Sequence, residues 1–324
     1  MNTILRHLAV CAIAGLAAVG PVRAQADWPV RPIRVIVPAP AGGPFDRTMR
    51  PIAQHMGKTL KQSVVIDNRP SAGNIVGTQA GAAAAPDGYT LTMTGMLNTI
   101  AQSMYDNVPF DIVKDFDHIG AIGEGAQWLV VRSDAGIQSF NDFIEQARRE
   151  PGKINYASSG AGSTGHLVME QLQRAANVRL LHVPYKGGAP ALQDVLAGVV
   201  SVIVIPSNTA LGGVQAGKLK VLAVSSAQRS PLAPAVPTFA ELGYGQLTVT
   251  SWIGLSAPKG TPAPVLHKVG AALRAALADP VLLKQLELEG LAPLVTTPQE
   301  YTLKVRTDTE RWGQLVRSLH LKAN

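Results

Sequence analysis

Short apolar runs alternate with amphipathic stretches along the chain from Trp28 onward. The short runs predict strands, and apolar residues spaced three and four apart predict helices. A succession of strand, helix, strand, helix and strand is typical of a parallel sheet with right-handed crossovers, so we expect an α/β fold. In the first third of the chain this pattern predicts strands at 33–37, 63–67 and 90–93 and helices at 46–60 and 77–85.

A second series of strands and helices follows a less regular segment that ends at Asp117. Because the chain enters this series and later leaves it, we expect two discontinuous domains, 27–126 plus 252–324 and 127–251. A cleft between two domains joined by two linkers is typical of a protein that closes on a solute. The predicted strands are 119–122, 128–132, 154–157, 180–183, 200–205 and 219–224, and the chain is expected to cross back near 248–255. The predicted helices are 139–149, 166–176, 189–197, 210–216, 264–277, 280–289 and 298–319.

Residues 1–24 have the pattern of a secretory signal peptide. Arg6 precedes an apolar run from Leu8 to Val19, and small residues follow, with cleavage expected after Ala24 or Ala26. A membrane anchor is the alternative, but the run falls short of the roughly 20 apolar residues that span a bilayer. The pattern therefore predicts a secreted chain, and a periplasmic location is our expectation.

Cys11 is the only cysteine of the chain, and it lies inside this N-terminal segment. The mature protein can therefore form no disulfide and no thiolate metal site. Lipid attachment at Cys11 is disfavoured, because Val10 is larger than the residue that usually precedes such a cysteine.

Composition and charge describe an ordinary globular protein. Of the 324 residues 46% are hydrophobic and 16% are charged. Removing Arg6 and Arg23 with the signal leaves 27 basic and 22 acidic residues, a net charge of +5 with neutral histidines. This modest excess suits an anionic small ligand, and the basic residues do not cluster as a nucleic-acid site requires.

A proline- and glycine-rich loop, Pro38–Phe45, connects the first predicted strand to the helix that begins at Asp46. Glycines allow backbone N–H groups to turn inward, and the following helix adds unpaired donors and the positive end of its dipole. The loop therefore predicts an anion cradle, with a plain strand-to-helix connection as the alternative. Asp46 either caps the helix or accepts a hydrogen bond from a ligand, and Phe45 either packs on the helix or forms an apolar wall.

The second glycine loop, Gly160–Gly165, matches the spacing of the dinucleotide-binding fingerprint and also connects a predicted strand to a helix. We reject a dinucleotide because the following strand, Leu180–Pro184, ends without the acidic residue that would hold a ribose. A carboxylate site is favoured instead, since glycines, a helix N-terminus and hydroxyls would bind it equally well. The candidate hydroxyls are those of Ser158, Ser159, Ser163 and Thr164.

Sequence signatures of catalysis are weak. The chain has no G-x-S-x-G elbow, no H-E-x-x-H, no C-x-x-C and no P-loop lysine. Most histidines are isolated, and His166 at a predicted helix start is more readily a capping or packing residue than a general base. We therefore expect no catalytic residue, no metal and no cofactor. A secreted α/β hydrolase is the competing interpretation.

Motifs along nearly the whole mature chain support a family resemblance. In chain order they are Trp28-Pro29, Pro40-Ala41-Gly42-Gly43 with Asp46, Asn68-Arg69-Pro70, Ala85-Pro86-Asp87-Gly88-Tyr89, Asn155-Tyr156-Ala157-Ser158-Ser159-Gly160, His182-Val183-Pro184-Tyr185-Lys186-Gly187, Ala216-Gly217-Lys218-Leu219 and Val236-Pro237-Thr238. This succession resembles the Bug-type solute receptors of tripartite tricarboxylate transporters.

The resemblance implies a type II periplasmic-binding-protein fold with a ligand cleft between its lobes. It further implies a monomeric receptor that captures a small carboxylate and delivers it to the large and small membrane subunits of a carrier. Presentation of the ligand to a sensor kinase is an alternative role. The ligand-binding positions that the resemblance implies are Ala41, Gly42, Gly43 and Asp46 on one side, Ser158, Ser159, Ser163 and Thr164 on the other, and Thr94 and Gly95 at the floor.

Two positions depart from the usual pattern of that family. Phe45 stands where Ser or Thr is usual, and Ile205 stands where an aspartate commonly ends the strand, followed by Pro206, Ser207 and Asn208. Both changes replace a polar group by an apolar one, which would leave ligand hydroxyls or amines unpaired. We therefore expect an aromatic or otherwise apolar carboxylate, with Phe45, Ser207 and Asn208 as further ligand-binding candidates.

Overall fold

The computed structural model describes residues 28–322, and the predicted signal peptide with Cys11 lies outside them. The strands are β1 (Ile33–Val37), β2 (Val64–Asn68), β3 (Thr90–Gly95), β4 (Phe116–Arg132), β5 (Asn155–Ser158), β6 (Leu181–Pro184), β7 (Val202–Pro206), β8 (Leu219–Val224), β9 (Thr250–Pro258) and β10 (Ala292–Pro293). The α-helices are α1 (Pro44–Leu60), α2 (Ile75–Ala82), α3 (Met96–Met104), α4 (Phe140–Arg149), α5 (Thr164–Ala176), α6 (Gly188–Leu196), α7 (Ser207–Gln215), α8 (Ala263–Ala276), α9 (Pro280–Leu288) and α10 (Pro298–Ser318). No helix within 28–322 is long and apolar enough to cross a membrane.

The sheet follows the order β2-β1-β3-β9-β4-β7-β5-β6, with β8 and β10 pairing to β4. β1 runs parallel to β2 and β3, as the alternating pattern predicts, and β5 runs parallel to β6 and β7. The returning strand β9 is antiparallel to both β3 and β4. A parallel series at each end of the sheet is thus joined through antiparallel strands in the middle.

β4 changes partners along its length, and this change separates two lobes. Residues Phe116–Ala126 pair with β9, whereas Gln127–Arg132 pair with β7 and β8. We call the part built on β1, β2, β3 and β9 the first lobe and the part built on β5 to β8 the second lobe. The domain limits at 126/127 and 251/252 remain a prediction.

Three hydrophobic clusters fill the protein. One lies in the first lobe between β1, β3, α1 and α8, and another lies in the second lobe around Trp128 and Ile203. The third joins the lobes, because Met96 and Ile100 of α3 and Trp312 of α10 belong to the same cluster as Leu129 and Leu167. The lobes therefore share a buried core.

The irregular segment expected before Asp117 in fact contains helix α3. Its apolar residues Met96, Ile100 and Met104 are buried at helical spacing, but intervening Thr and Asn residues lower the helix propensity of the stretch. The helix is stabilised at its start, where the side chain of Asn98 accepts a hydrogen bond from the backbone N–H of Gly95 at 2.8 Å.

The two strands expected at 119–122 and 128–132 are one continuous strand, β4. Gly123 and Gly125 lie within this strand, between the two predicted segments. A Cβ at Gly125 would lie 2.9 Å from the carbonyl oxygen of Gly290, so only glycine allows this close approach. The glycines therefore reflect packing against the β10 segment and not a chain break.

Candidate functional site

A cavity of about 340 Å³ lies between the two lobes. Both glycine loops and both crossings between the lobes contribute to its wall. The lining residues are Pro38, Ala39, Pro40, Gly43, Pro44, Phe45, Thr48, Ser71 and Asn74, then Met93, Thr94, Gly95, Met96, Leu97, Asn98, Gly125 and Gln127, then Ser159, Ser163, Thr164, Gly165, Val204, Pro206, Ser207, Asn208 and Thr209, and finally Ser251, Trp252, Ile253, Glu289, Gly290 and Leu291.

Four helices begin at this cavity. The first-turn residues of α1 and α3 line it from the first lobe, and those of α5 and α7 line it from the second lobe. The first N–H groups of a helix have no partner within the helix, and the helix dipole adds partial positive charge there. The convergence of four such ends makes the cavity attractive to an anion from both sides.

The cavity wall carries almost no formal charge. Among the described residues that line it there is no lysine, arginine or histidine, and Glu289 is the one carboxylate. Arg47 neutralises that carboxylate through two hydrogen bonds, from Nε to Oε1 at 2.9 Å and from Nη2 to Oε2 at 2.8 Å. A negative ligand would therefore meet neutral donors, namely amide N–H groups, hydroxyls and side-chain amides.

The first glycine loop ends at Gly43, the N-cap of α1, with Pro44 at the first helical position. Asp46 does not line the cavity: its Oδ2 accepts hydrogen bonds from the Gly42 N–H and from Arg50 Nε, both at 2.8 Å, and the residue is 2% exposed. Burial opposes ionisation of Asp46, but these hydrogen bonds outweigh it and hold the pKa of the carboxyl below its usual value. Asp46 thus ties the loop to the helix.

The second glycine loop places Ser163 at the N-cap of α5, where its Oγ accepts a hydrogen bond from the N–H of His166 at 3.4 Å. Thr164 lines the cavity, and its Oγ1 lies 3.2 Å from Ser251 Oγ on β9. Ser158 is fully buried behind the loop, with its Oγ 2.7 Å from Nε2 of His182 and 3.2 Å from the backbone nitrogen of Gly160. Ser158 therefore holds the loop from behind.

Thr94 and Gly95 lie where β3 ends against β9, at the floor of the cavity. The hydroxyl of Thr94 is committed to a buried network, 2.7 Å from Ser256 Oγ and 2.9 Å from the hydroxyl of Tyr301. His118 continues this network through its Nδ1, which lies 2.9 Å from Ser256 Oγ. The network fixes the floor at the junction of β3, β4 and β9.

Comparison with known proteins gives the family. The family model described as "Tripartite tricarboxylate transporter family receptor" matches residues 48–321. The chain belongs to this receptor family. Among solved structures, the periplasmic binding protein BugD is 33% identical with a TM-score of 0.80, over 92% of this chain and 100% of BugD.

Two further solved structures of similar proteins contain a bound carboxylate. A protein of R. palustris with adipate is 29% identical with a TM-score of 0.83, over 92% of this chain and 100% of that one. MatC from Rhodopseudomonas palustris with bound malate is 30% identical with a TM-score of 0.78, over 89% and 100% of the two chains. These likenesses confirm the two-lobed periplasmic-binding-protein fold, and membership of a receptor family confirms a solute receptor in place of an enzyme.

The structure brings most of the sequence candidates of this tripartite-transporter receptor to one cavity. Its wall includes Gly43, Phe45, Thr94, Gly95, Ser159, Ser163, Thr164, Ser207 and Asn208. The remaining candidates are elsewhere: Asp46 and Ser158 are buried behind the two loops, and Ala41 and Gly42 are exposed and outside the wall. These four residues therefore do not line the cavity. Asp46 and Ser158 instead hold the two loops in place through hydrogen bonds to Gly42 and Gly160.

The role assigned to Ile205 was wrong. Strand alternation directs this residue into the second-lobe core with Trp128, where it is fully buried, while Val204 and Pro206 reach the cavity. Replacement of a polar residue at 205 therefore does not alter the wall. Of the two departures from the family pattern, Phe45 is the one that makes the cavity more apolar.

Several wall residues were missed from the sequence. Gln127 and Ser251 stand at the two predicted crossings, and they bond to each other across the lobes, from Nε2 to Oγ at 2.9 Å. Trp252 follows directly and also lines the cavity, while its ring packs in the core against Tyr301. The predicted crossings could have identified these residues, because the segments that connect two lobes must line the cleft between them.

Proposed function

We propose that this receptor captures a small carboxylate with an aromatic or otherwise apolar body in the cavity between its lobes. It then delivers this ligand to the large and small membrane subunits of a tripartite carrier. We further propose that the protein is exported to the periplasm with removal of residues 1–24 and that it is a monomer. The domain limits given above belong to the same proposal. The observation that carries it is the convergence of four helix N-termini on a cavity whose wall, among residues 28–322, has no positively charged side chain.

A carboxylate fits this arrangement better than a phosphate or a cation. Each helix N-terminus stabilises a negative charge by about 0.3–1 kcal/mol at an exposed surface, and more where water is partly excluded. A group with a single charge and two acceptor oxygens can be satisfied by amide N–H groups and hydroxyls without a counter-ion. The adipate and malate in the similar R. palustris proteins are consistent with this chemistry.

The apolar part of the wall favours a ligand body without hydroxyl or amine groups. Phe45, Met96 and Leu97 come from the first lobe, and Leu291 extends the apolar surface. A ligand hydroxyl facing these side chains would lose its hydrogen bonds to water without replacement, which costs about 1–3 kcal/mol. An aromatic ring in the same place gains the contact area that aromatic pairs provide.

Isothermal titration calorimetry tests the proposal with four probes: benzoate, adipate, malate and glutamate. We expect benzoate to bind more tightly than malate and glutamate, with adipate between them. Tight binding of glutamate or malate together with no heat from benzoate would refute the apolar specificity while leaving a carboxylate receptor. Absence of binding by every acid would refute the carboxylate function itself.

A pair of variants at Phe45 sharpens this test. Phe45→Ser restores the hydroxyl that the resemblance leads us to expect there, and Phe45→Leu preserves an apolar wall. We expect the serine variant to lose about tenfold in benzoate affinity and to gain affinity for malate, since one apolar group in a pocket is worth about 1–3 kcal/mol. The leucine variant should retain the preference of the wild type.

A further inference from the structure

Three aromatic rings are stacked directly behind the second glycine loop. The rings of His166 and His182 are parallel within 8° with centroids 4.0 Å apart, and the ring of Tyr156 lies 4.8 Å from that of His182. His166 is 4% exposed. No part of the stack lines the cavity, so direct ligand contact does not account for it.

His166 makes two hydrogen bonds at the start of α5. Its backbone N–H donates to Ser163 Oγ at 3.4 Å, and its ring Nδ1 accepts the backbone N–H of Gly162 at 3.0 Å. This arrangement parallels a capping box, in which the third residue of a helix is normally Glu or Gln. A ring nitrogen that accepts an N–H carries no proton, so the imidazole is neutral with its proton on Nε2.

We propose that His166 is a positioning residue for ligand binding. Its unprotonated Nδ1 fixes the Gly162 peptide, and this fixed peptide sets the direction of Ser163 and of the first N–H groups of α5 at the cavity. The inference rests on the proposed function, because these donors are the second lobe's contribution to the anion site.

The loop has little freedom to adopt another shape once this bond is made. Gly162 has a φ of +76°, and a Cβ there would lie 2.7 Å from Cε of Met104 on α3. The turn is therefore confined between α5 of the second lobe and α3 of the first. A shift of the Gly162 peptide would therefore disturb the start of α5, where the donors of the second lobe face the cavity.

The surroundings keep the ring neutral. Burial lowers the pKa of His166 to about 4, and burial together with the neighbouring His166 lowers the pKa of His182 to about 4. The titratable groups that face His166 are Glu170 on its own helix, Tyr156 on β5 and His182 on β6. Glu170 Oε1 lies 3.9 Å from His166 Nε2, but it already accepts the Tyr156 hydroxyl at 2.6 Å.

The first experiment needs no ligand. We expect ¹⁵N NMR of the wild type to show His166 with an unprotonated Nδ1 and a protonated Nε2 at neutral pH. In His166→Gln a neutral acceptor remains, and Gln is a usual partner in a capping box. In His166→Leu the acceptor is removed, and hydrogen exchange at the Gly162 amide should accelerate at least about fivefold, since a capping bond is worth about 1 kcal/mol or more.

The second experiment measures benzoate affinity in the same variants. We expect His166→Leu to lose about fivefold or more and His166→Gln to stay within about twofold of the wild type. Glu300→Ala is the matched control, because it removes the corresponding acceptor from the capping box of α10, where Thr297 N–H donates to Glu300 Oε2 at 2.8 Å. This control should lower the melting temperature without changing benzoate affinity.

Several results would overturn the positioning role. These are a protonated Nδ1 at neutral pH, equal Gly162 exchange in wild type and His166→Leu, or equal benzoate affinity in the two. Failure of the glutamine variant to rescue binding would also overturn it. If the wild type binds no carboxylate at all, the proposed function fails separately, and the exchange rates still decide whether His166 holds the loop.

Discussion

Mild acid should destabilise this protein through two buried histidines, His118 and His166, and the half-buried His182. Burial lowers the pKa of His118, His166 and His182 from the ordinary 6.5 to about 4. His118 lies beneath the cavity floor, and the other two lie behind the second glycine loop. All three stay neutral in the folded protein at a pH where the unfolded chain already takes up protons.

The sign and the pH window follow from linkage. Between about pH 6.5 and about pH 4 the unfolded chain binds more protons, so the free energy of unfolding falls as the pH falls through this window. With about 1.4 kcal/mol per pKa unit, each histidine costs roughly 2 kcal/mol between neutral pH and pH 5. Three histidines together cost roughly 6 kcal/mol, a large share of the stability of an ordinary domain.

Urea unfolding followed by tryptophan fluorescence at several pH values measures this effect. We expect the midpoint to fall steadily from about pH 7 to about pH 5, and His118→Gln should remove about a third of that fall. His267→Gln changes a histidine on an exposed part of α8 and serves as the control. A constant midpoint down to about pH 5, or a fall that begins only below about pH 4, would refute the reasoning, because paired carboxylates such as Asp46 act only in that lower range.

Three further outcomes are expected. Benzoate affinity should change less than about twofold between roughly 50 and 500 mM NaCl, because neutral donors hold the ligand, and titration calorimetry at both salt concentrations checks this. Gly162→Ala should lower the free energy of unfolding by about 1–3 kcal/mol in urea unfolding, because the added methyl meets Met104. The double variant with Met104→Ala should lose less stability than the sum of the losses in the two single variants. Thr297→Ala should cost about 1 kcal/mol of stability and leave benzoate binding unchanged; a loss of binding would show that α10 reaches the cavity.

Local sequence chemistry predicts the two glycine loops well, because each occupies one strand-to-helix junction. The helices nevertheless begin earlier than the apolar pattern indicates, at Pro44, Thr164 and Ser207. Small and polar residues occupy these first turns, where capping and ligand-facing donors matter more than burial. A prediction from the spacing of apolar residues therefore misses the first helical turns, which form the site.

The direction of each polar side chain could not be predicted. Thr94 and Ser158 looked equivalent to Ser163 as hydroxyl donors, yet partners far along the chain take both hydroxyls. Ser256 lies 162 residues from Thr94, and His182 lies 24 residues from Ser158. Only the folded sheet brings such partners together, so sequence identifies the loops but not which of their atoms face the ligand.

The position of β9 in the sheet determines when the first lobe can fold. This strand lies between β3 and β4, although about 150 residues separate it in sequence from β3. Until it arrives, β3 has an unpaired edge and the apolar side chains Ile253 and Leu255 are missing from the first-lobe core. Such distant pairing slows folding, because a long loop must close before any contact compensates for it. A nascent chain therefore emerges almost to its end before its N-terminal third can become a stable unit.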